Sequence, residues 1–133
     1  MYHLFLATPE KVVFDDFIHS LMAPGKLGYL EILTDHAAII TTLSIGKLTV
    51  IDKDKKKWVW AISGGYLEVS HNKAKLLADA VELAAEIDLK RAEATLIKAR
   101  TILISKDPQV DILRAKAALQ RAENRIKIFH EFK

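Results

Sequence analysis

The chain contains no cysteine. That excludes a disulfide scaffold, a thiolate metal centre and a cysteine nucleophile. Long apolar runs are missing too. The longest, Trp58 to Ile62, covers five residues, against the ~20 that a membrane-crossing helix needs. No glycine follows Gly65, so glycine-dependent turns belong to the first part of the chain. A strong charge imbalance is absent as well, since 20 Lys and Arg face 17 Asp and Glu for a net +3. Residues 1–80 carry nine basic and nine acidic side chains, whereas residues 81–133 carry eleven and eight. An excess this mild does not predict nucleic-acid binding, which calls for a clustered basic face. Residues 1–7 read as a strand from the outset, without the pattern of a signal or transit peptide, so a soluble intracellular chain is expected.

What is present is a globular composition, 50% hydrophobic and 28% charged over 133 residues, enough for a substantial core. The first part reads as short strands: 3–7, 11–14, 17–22, 39–43, 48–51, 58–62 and 66–69. Turn residues separate them, among them Pro9, Pro24-Gly25, Asp52 to Lys56 and Gly64-Gly65. Such spacing predicts an antiparallel sandwich or barrel. Asp15-Asp16 reads as a solvated turn. Trp58 and Trp60 share one strand face, and core packing is expected for at least part of it.

From about Val81 the period lengthens. Leu89, Ala92, Leu96, Ala99 and Leu103 fall on one helical face, with Asp88 as N-cap. Asp107-Pro108 reads as the cap and first residue of a second helix, whose face is Ile112, Ala115, Leu119, Ala122, Ile126 and Phe129. A linker of about four residues makes the helices antiparallel neighbours. Alanine in the seam permits close approach. The reading is therefore a β-sandwich over residues 1–84, followed by an antiparallel α-helical hairpin over 85–133.

Signatures of catalysis fail one by one. Gly25-Lys26 and Gly46-Lys47 are followed by leucine, and Ser20 and Thr41 stand where a phosphate-cradling loop needs its first glycine. Ser63-Gly64-Gly65 has Ala61 where a nucleophile elbow needs glycine. The five histidines are scattered, with no His-x-x-x-His pair for a metal. No catalytic residue, metal site or required cofactor is expected.

Three segments together resemble the epsilon subunit of rotary F-type ATP synthases. Gly28 to Ala37 is similar to the family's Gly-x-Leu-Gly-Ile-Leu-Pro-Gly-His-Ala loop. Ser63-Gly64-Gly65-Tyr66-Leu67-Glu68-Val69 is similar to its Ser-Gly-Gly-Phe-Leu-Glu-Val strand entry. Leu77-Ala78-Asp79, running on to Ile87-Asp88-Leu89-Lys90-Arg91-Ala92, resembles the strand end and the Ile-Asp-x-x-Arg-Ala helix start. Order and spacing agree over nearly the whole chain. Departures concentrate in the first segment, where Glu31 and Asp35 replace glycines and Thr34 and Ala38 replace prolines. Asp35 is expected to keep the turn, and Glu31 to alter the backbone locally.

The resemblance implies a non-catalytic rotor-stalk subunit bound to the gamma subunit and the c-ring. It would couple ring rotation to ATP synthesis and restrain hydrolysis by extending its hairpin toward the alpha/beta catalytic head. Leu30, Glu31 and His36 would lie at the rotor interface. The implied location is the cytoplasmic face of the bacterial plasma membrane, held through the complex without direct membrane insertion. Some family members bind ATP on the folded hairpin. The corresponding residues here are Glu82, Ile87, Asp88, Arg91, Ala92, Arg121 and Arg125, while Lys98 and Ile102 stand where such members often carry further arginines. Arg121 and Arg125, four apart, project from one helical face and suit phosphate. The alternatives are a stand-alone nucleotide-sensing module and, less supported, a sandwich hydrolase with an appended hairpin.

Overall fold

Apolar residues at alternate positions build strands through the first part of the chain. In the computed structural model, which describes residues 1–132, these strands join one sheet. The chain divides into two units, Met1–Leu83 and the segment from Ala84 onward. The first contains β1 (Tyr2–Ala7), β2 (Val12–Gly25), β3 (Gly28–Ile32), β4 (Ile39–Asp52), β5 (Lys57–Ser70), β6 (Lys73–Ala78) and β7 (Val81–Leu83). The strand order is β1-β6-β5-β4-β2-β3, with β7 on β5. Because β1 pairs with both β6 and β2, the sheet closes into a barrel-like sandwich. Closure protects the edges of β1 and β6 from pairing elsewhere.

The short strands expected from the sequence merge in pairs. Strands β2, β4 and β5 each run for 14 residues. Asp15 and Asp16 are therefore strand residues, not a solvated turn. Their alternate directions give them different partners: Asp15 lies 2.7 Å from His3 Nε2, and Asp16 lies 3.1 Å from Lys53 Nζ. The Phe17 N–H, and then Lys53, hold the Asp16 carboxyl below its ordinary range. A register shift between Ile18 and Ser20 reverses the inward face of β2, which lets both Ile18 and Leu21 point into the core. One pairing is not antiparallel: β1 runs parallel to β6, from His3 opposite Lys73 to Ala7 opposite Leu77.

The core is aliphatic, with Leu4, Leu6, Leu21, Leu48, Leu67 and Leu76 fully buried. Each such side chain stabilises the unit by about 1.5–3 kcal/mol. Trp58 and Trp60 stack at 5.6 Å, and Phe14 meets both edge-on. Trp60 is 2% exposed, in line with the core role expected for that face. Asp52 fastens the β4–β5 turn. Its carboxylate accepts from the Asp54 and Lys56 N–H groups at 2.8 and 2.9 Å and from Trp58 Nε1 at 2.9 Å. Gly65 has φ +130°, and a Cβ there would fall 2.1 Å from the Leu77 carbonyl oxygen. Only glycine fits where β5 passes so close to β6.

The second unit opens with a 3-10 turn, Ala84–Glu86, followed by α1 (Leu89–Ser105) and α2 (Ile112–Phe132). Asp88 caps α1, accepting from the Arg91 N–H at 3.0 Å. Lys106 ends it in a left-handed conformation, φ 54°. The expected start of α2 at Pro108 is not observed. Asp107 instead accepts from the Gln109 N–H at 2.9 Å, closing a turn within the linker. Asp111 is the cap, accepting from the Arg114 N–H at 3.1 Å. Residues 106–111 thus join the helices, a longer linker than the spacing implied, and α1 and α2 pack as antiparallel neighbours. The four seam alanines, 92, 99, 115 and 122, are all buried, at 8% exposure or less. Two departures from the expected stripe occur: Ile112 is 54% exposed, and Ile128, outside the stripe, is 1% exposed.

Candidate functional site

The hairpin gathers six of the seven residues assigned to a nucleotide. Ile87 follows the 3-10 turn, is buried, and donates its N–H to the Ala84 carbonyl at 3.3 Å. Asp88 is committed on one carboxylate oxygen to the helix cap. Arg91 stands exposed in the first turn of α1, with Ala92 buried beside it. Ala92 lies thirteen residues before the end of α1, and Arg125 thirteen after the start of α2. In an antiparallel pair both are about 20 Å from the connecting turn, at one level of the hairpin. Arg121 sits one turn nearer the linker, and both arginines are half-buried around the fully buried Ala122. The start of α1 and the arginine turn of α2 thus stand at one level of the hairpin. Glu82 belongs to the other unit, on β7 opposite Ala61.

The second surface is the end of the barrel formed by β3 and its loop to β4. Leu30 is half-buried and packs against Gly25, whose missing Cβ would lie 2.6 Å from Leu30 Cδ2. Glu31 is exposed and pairs in regular register with Met22. Within β3 the position is an ordinary strand residue that carries a side chain in regular register. Asp35 does keep the turn, with φ 64°. Its N–H donates to Asn72 Oδ1 at 2.7 Å, and Asn72 Nδ2 donates to Asp35 Oδ1 at 2.8 Å. His36 follows, half-buried, with its N–H on the Leu33 carbonyl at 3.2 Å and Nδ1 2.7 Å from the Ala37 carbonyl. Asn72 was invisible to local sequence reasoning, since it lies 37 residues from Asp35. Among the described residues, no group of three or more His, Asp or Glu stands where it could hold a metal ion, and no helix is long and apolar enough to cross a membrane.

Fold and surfaces define a class of protein, a closed β-sandwich continued by a two-helix hairpin. Comparison with known proteins makes the class specific. Residues 1–84 match the β-sandwich domain of the ATP synthase delta/epsilon chain, and residues 85–129 match its long α-helix domain. An ATP synthase epsilon chain from Protochlamydia amoebophila is 47% identical over 131 residues, covering 98% of this chain and 89% of that one. Another from Desulforamulus reducens is 44% identical, covering 92% of each. A chain in the Euglena gracilis mitochondrial ATP synthase structure has the same fold, with a TM-score of 0.80 at 23% identity, covering 91% of this chain and 76% of that one. This chain belongs to the family of ATP synthase epsilon chains.

Proposed function

We propose that this chain is a non-catalytic rotor-stalk subunit of a proton-translocating ATP synthase, with its hairpin acting as a movable brake on ATP hydrolysis. Leu30, Glu31 and His36 face the rotor, where gamma and the c-ring are the partners, and the hairpin addresses the alpha/beta head. The protein works at the cytoplasmic face of the plasma membrane, held there by the complex. ATP is not a required cofactor in this reading. It is a regulatory ligand, bridging the start of α1, with Ile87, Asp88, Arg91 and Ala92, and the Arg121–Arg125 turn.

The observation that carries the proposal is the alanine seam. The four buried seam alanines contribute about 0.8 kcal/mol per methyl, roughly 3 kcal/mol together. A ligand at a hundred times its Kd adds about 2.7 kcal/mol to the state that binds it. The ligand's contribution is as large as that of the whole alanine seam, so nucleotide can shift the population of the closed hairpin. The excess positive charge of residues 81–133 favours encounter with an acidic surface when the hairpin opens.

Calorimetric titration with ATP, paired with hydrolysis by the assembled complex, tests this. The full chain should bind ATP saturably, Arg121→Ala/Arg125→Ala should not, and complexes carrying the double variant should remain inhibited at ATP levels that relieve the unaltered complex. Equal hydrolysis by complexes with the full chain and with a chain ending at Leu83 would refute the brake. Absence of binding at millimolar ATP would remove the nucleotide arm alone.

A further inference from the structure

We propose that Asn72 is the positioning residue of the His36 loop, supporting Asp35 in a left-handed backbone conformation that costs an aspartate more than a glycine. The proposal rests on the reading of that loop as part of the rotor-facing surface. Asp35 sits at φ 64°, a region that only glycine enters without steric cost and that Asp enters with local support. Its support comes from across the fold. Asn72 lies in the β5–β6 turn, itself left-handed at His71 and Asn72 with φ 51° and 57°.

The chemistry of the pair is selective. Asn72 must present an acceptor to the Asp35 N–H and a donor to the Asp35 carboxylate, and it does both at once, at 2.7 and 2.8 Å. An amide of this length offers both from separate atoms of one planar group. Aspartate would set carboxylate against carboxylate, and glycine would leave both Asp35 groups to water. The backbone carbonyl of Asn72 meanwhile accepts from the His3 N–H at 3.1 Å, so the turn is tied to β1 as it grips the loop. Since His36 is the next residue, the Asp35 backbone angles determine where the imidazole stands. A residue that contacts neither rotor nor nucleotide in this reading thereby orients one that faces the rotor.

The test uses the full chain and two readouts: affinity for a gamma–c-ring subcomplex, and hydrogen exchange at the Asp35 amide. Asn72→Gly is the informative variant, because glycine keeps the left-handed turn while removing the amide. It should weaken rotor binding about fivefold, the equivalent of two lost exposed hydrogen bonds at the low end of ordinary net strength, and speed exchange at Asp35 similarly. Asn72→Asp should weaken binding further, with partial recovery in high salt. Asp35→Gly should bind normally, and adding Asn72→Gly to it should cost clearly less than with Asp35 in place, because glycine enters φ 64° without steric cost and only the backbone N–H of residue 35 then loses its acceptor. Equal losses in both backgrounds would overturn the proposal, as would unchanged affinity in Asn72→Gly while His36→Ala binds poorly. If His36→Ala also binds normally, the rotor-facing reading fails. Exchange at Asp35 then decides the positioning claim, which is lost if Asn72→Gly leaves it unaltered.

Discussion

Replacing Ala99 by glycine probes the cohesion of the hairpin at its seam. Ala99 is 3% exposed in the middle of the α1 seam. The change removes one buried methyl, about 0.8 kcal/mol, and adds the intrinsic helix cost of glycine over alanine, about 1 kcal/mol. The sum of about 1.8 kcal/mol corresponds to roughly 20-fold more frequent opening. Ala94, exposed on the same helix, isolates the packing part, because Ala94→Gly carries the propensity cost alone and should give roughly fivefold. Native-state hydrogen exchange reads both, with the core amides of β4 and β5 as an internal reference. The reasoning fails if the two variants accelerate exchange in α1 and α2 equally, for the seam would then contribute nothing beyond helix propensity. It fails also if the β4 and β5 amides accelerate as much as those of the hairpin.

Two further outcomes follow from the barrel. Asp52→Asn should lower the melting temperature at pH 7, since an amide cannot accept all three N–H groups that Asp52 holds. The Trp58 indole N–H, foremost, and the Lys56 and Asp54 N–H groups hold the Asp52 carboxyl below its ordinary range, against the effect of partial burial. Its stabilisation is therefore complete above the unfolded pKa of about 4 and is lost as pH falls through the lower folded value. A thermal melting series should show the gap between the two proteins closing below about pH 4, and a gap that widens there would contradict the assignment. Gly65→Ala should destabilise the barrel by more than about 3 kcal/mol, since its Cβ would overlap the Leu77 carbonyl. Urea unfolding measures it, and a loss under 1 kcal/mol (about the average for any substitution) would count against the packing described.

Local patterns were legible in the sequence, and distant pairings were not. The seam of Ala92, Ala99, Ala115 and Ala122 follows from helical spacing alone, as does the Asp88 cap, because both depend on residues within one or two turns. The family resemblance, carried by three segments in register, pointed to the family that the comparisons establish. Asp107-Pro108 misled because it has the composition of a helix start, while the real cap, Asp111, lacks the proline. The acidic pair at Asp15-Asp16 resembled a turn because nothing nearby in sequence announces His3 and Lys53 as partners. Ile128 lies outside the regular stripe, so its burial left no periodic trace. The grip of Asn72 on Asp35 was equally hidden. Local reasoning sees that a left-handed position needs support, but not which distant side chain supplies it.

The parallel pairing of β1 with β6 has a consequence for how the chain comes to be folded. His3 finds its partner at Lys73, so β1 leaves the ribosome long before β6 exists. Until then it can pair only with β2, its antiparallel neighbour. Closing a loop of that length is slow compared with making a helical turn. The helices α1 and α2, by contrast, meet across a short linker and need nothing from the N-terminus to find each other. The order of synthesis and the order of completion are therefore opposed. The strand made first must wait for its last partner, and β1 is a natural place for a chaperone or a competing strand to intervene.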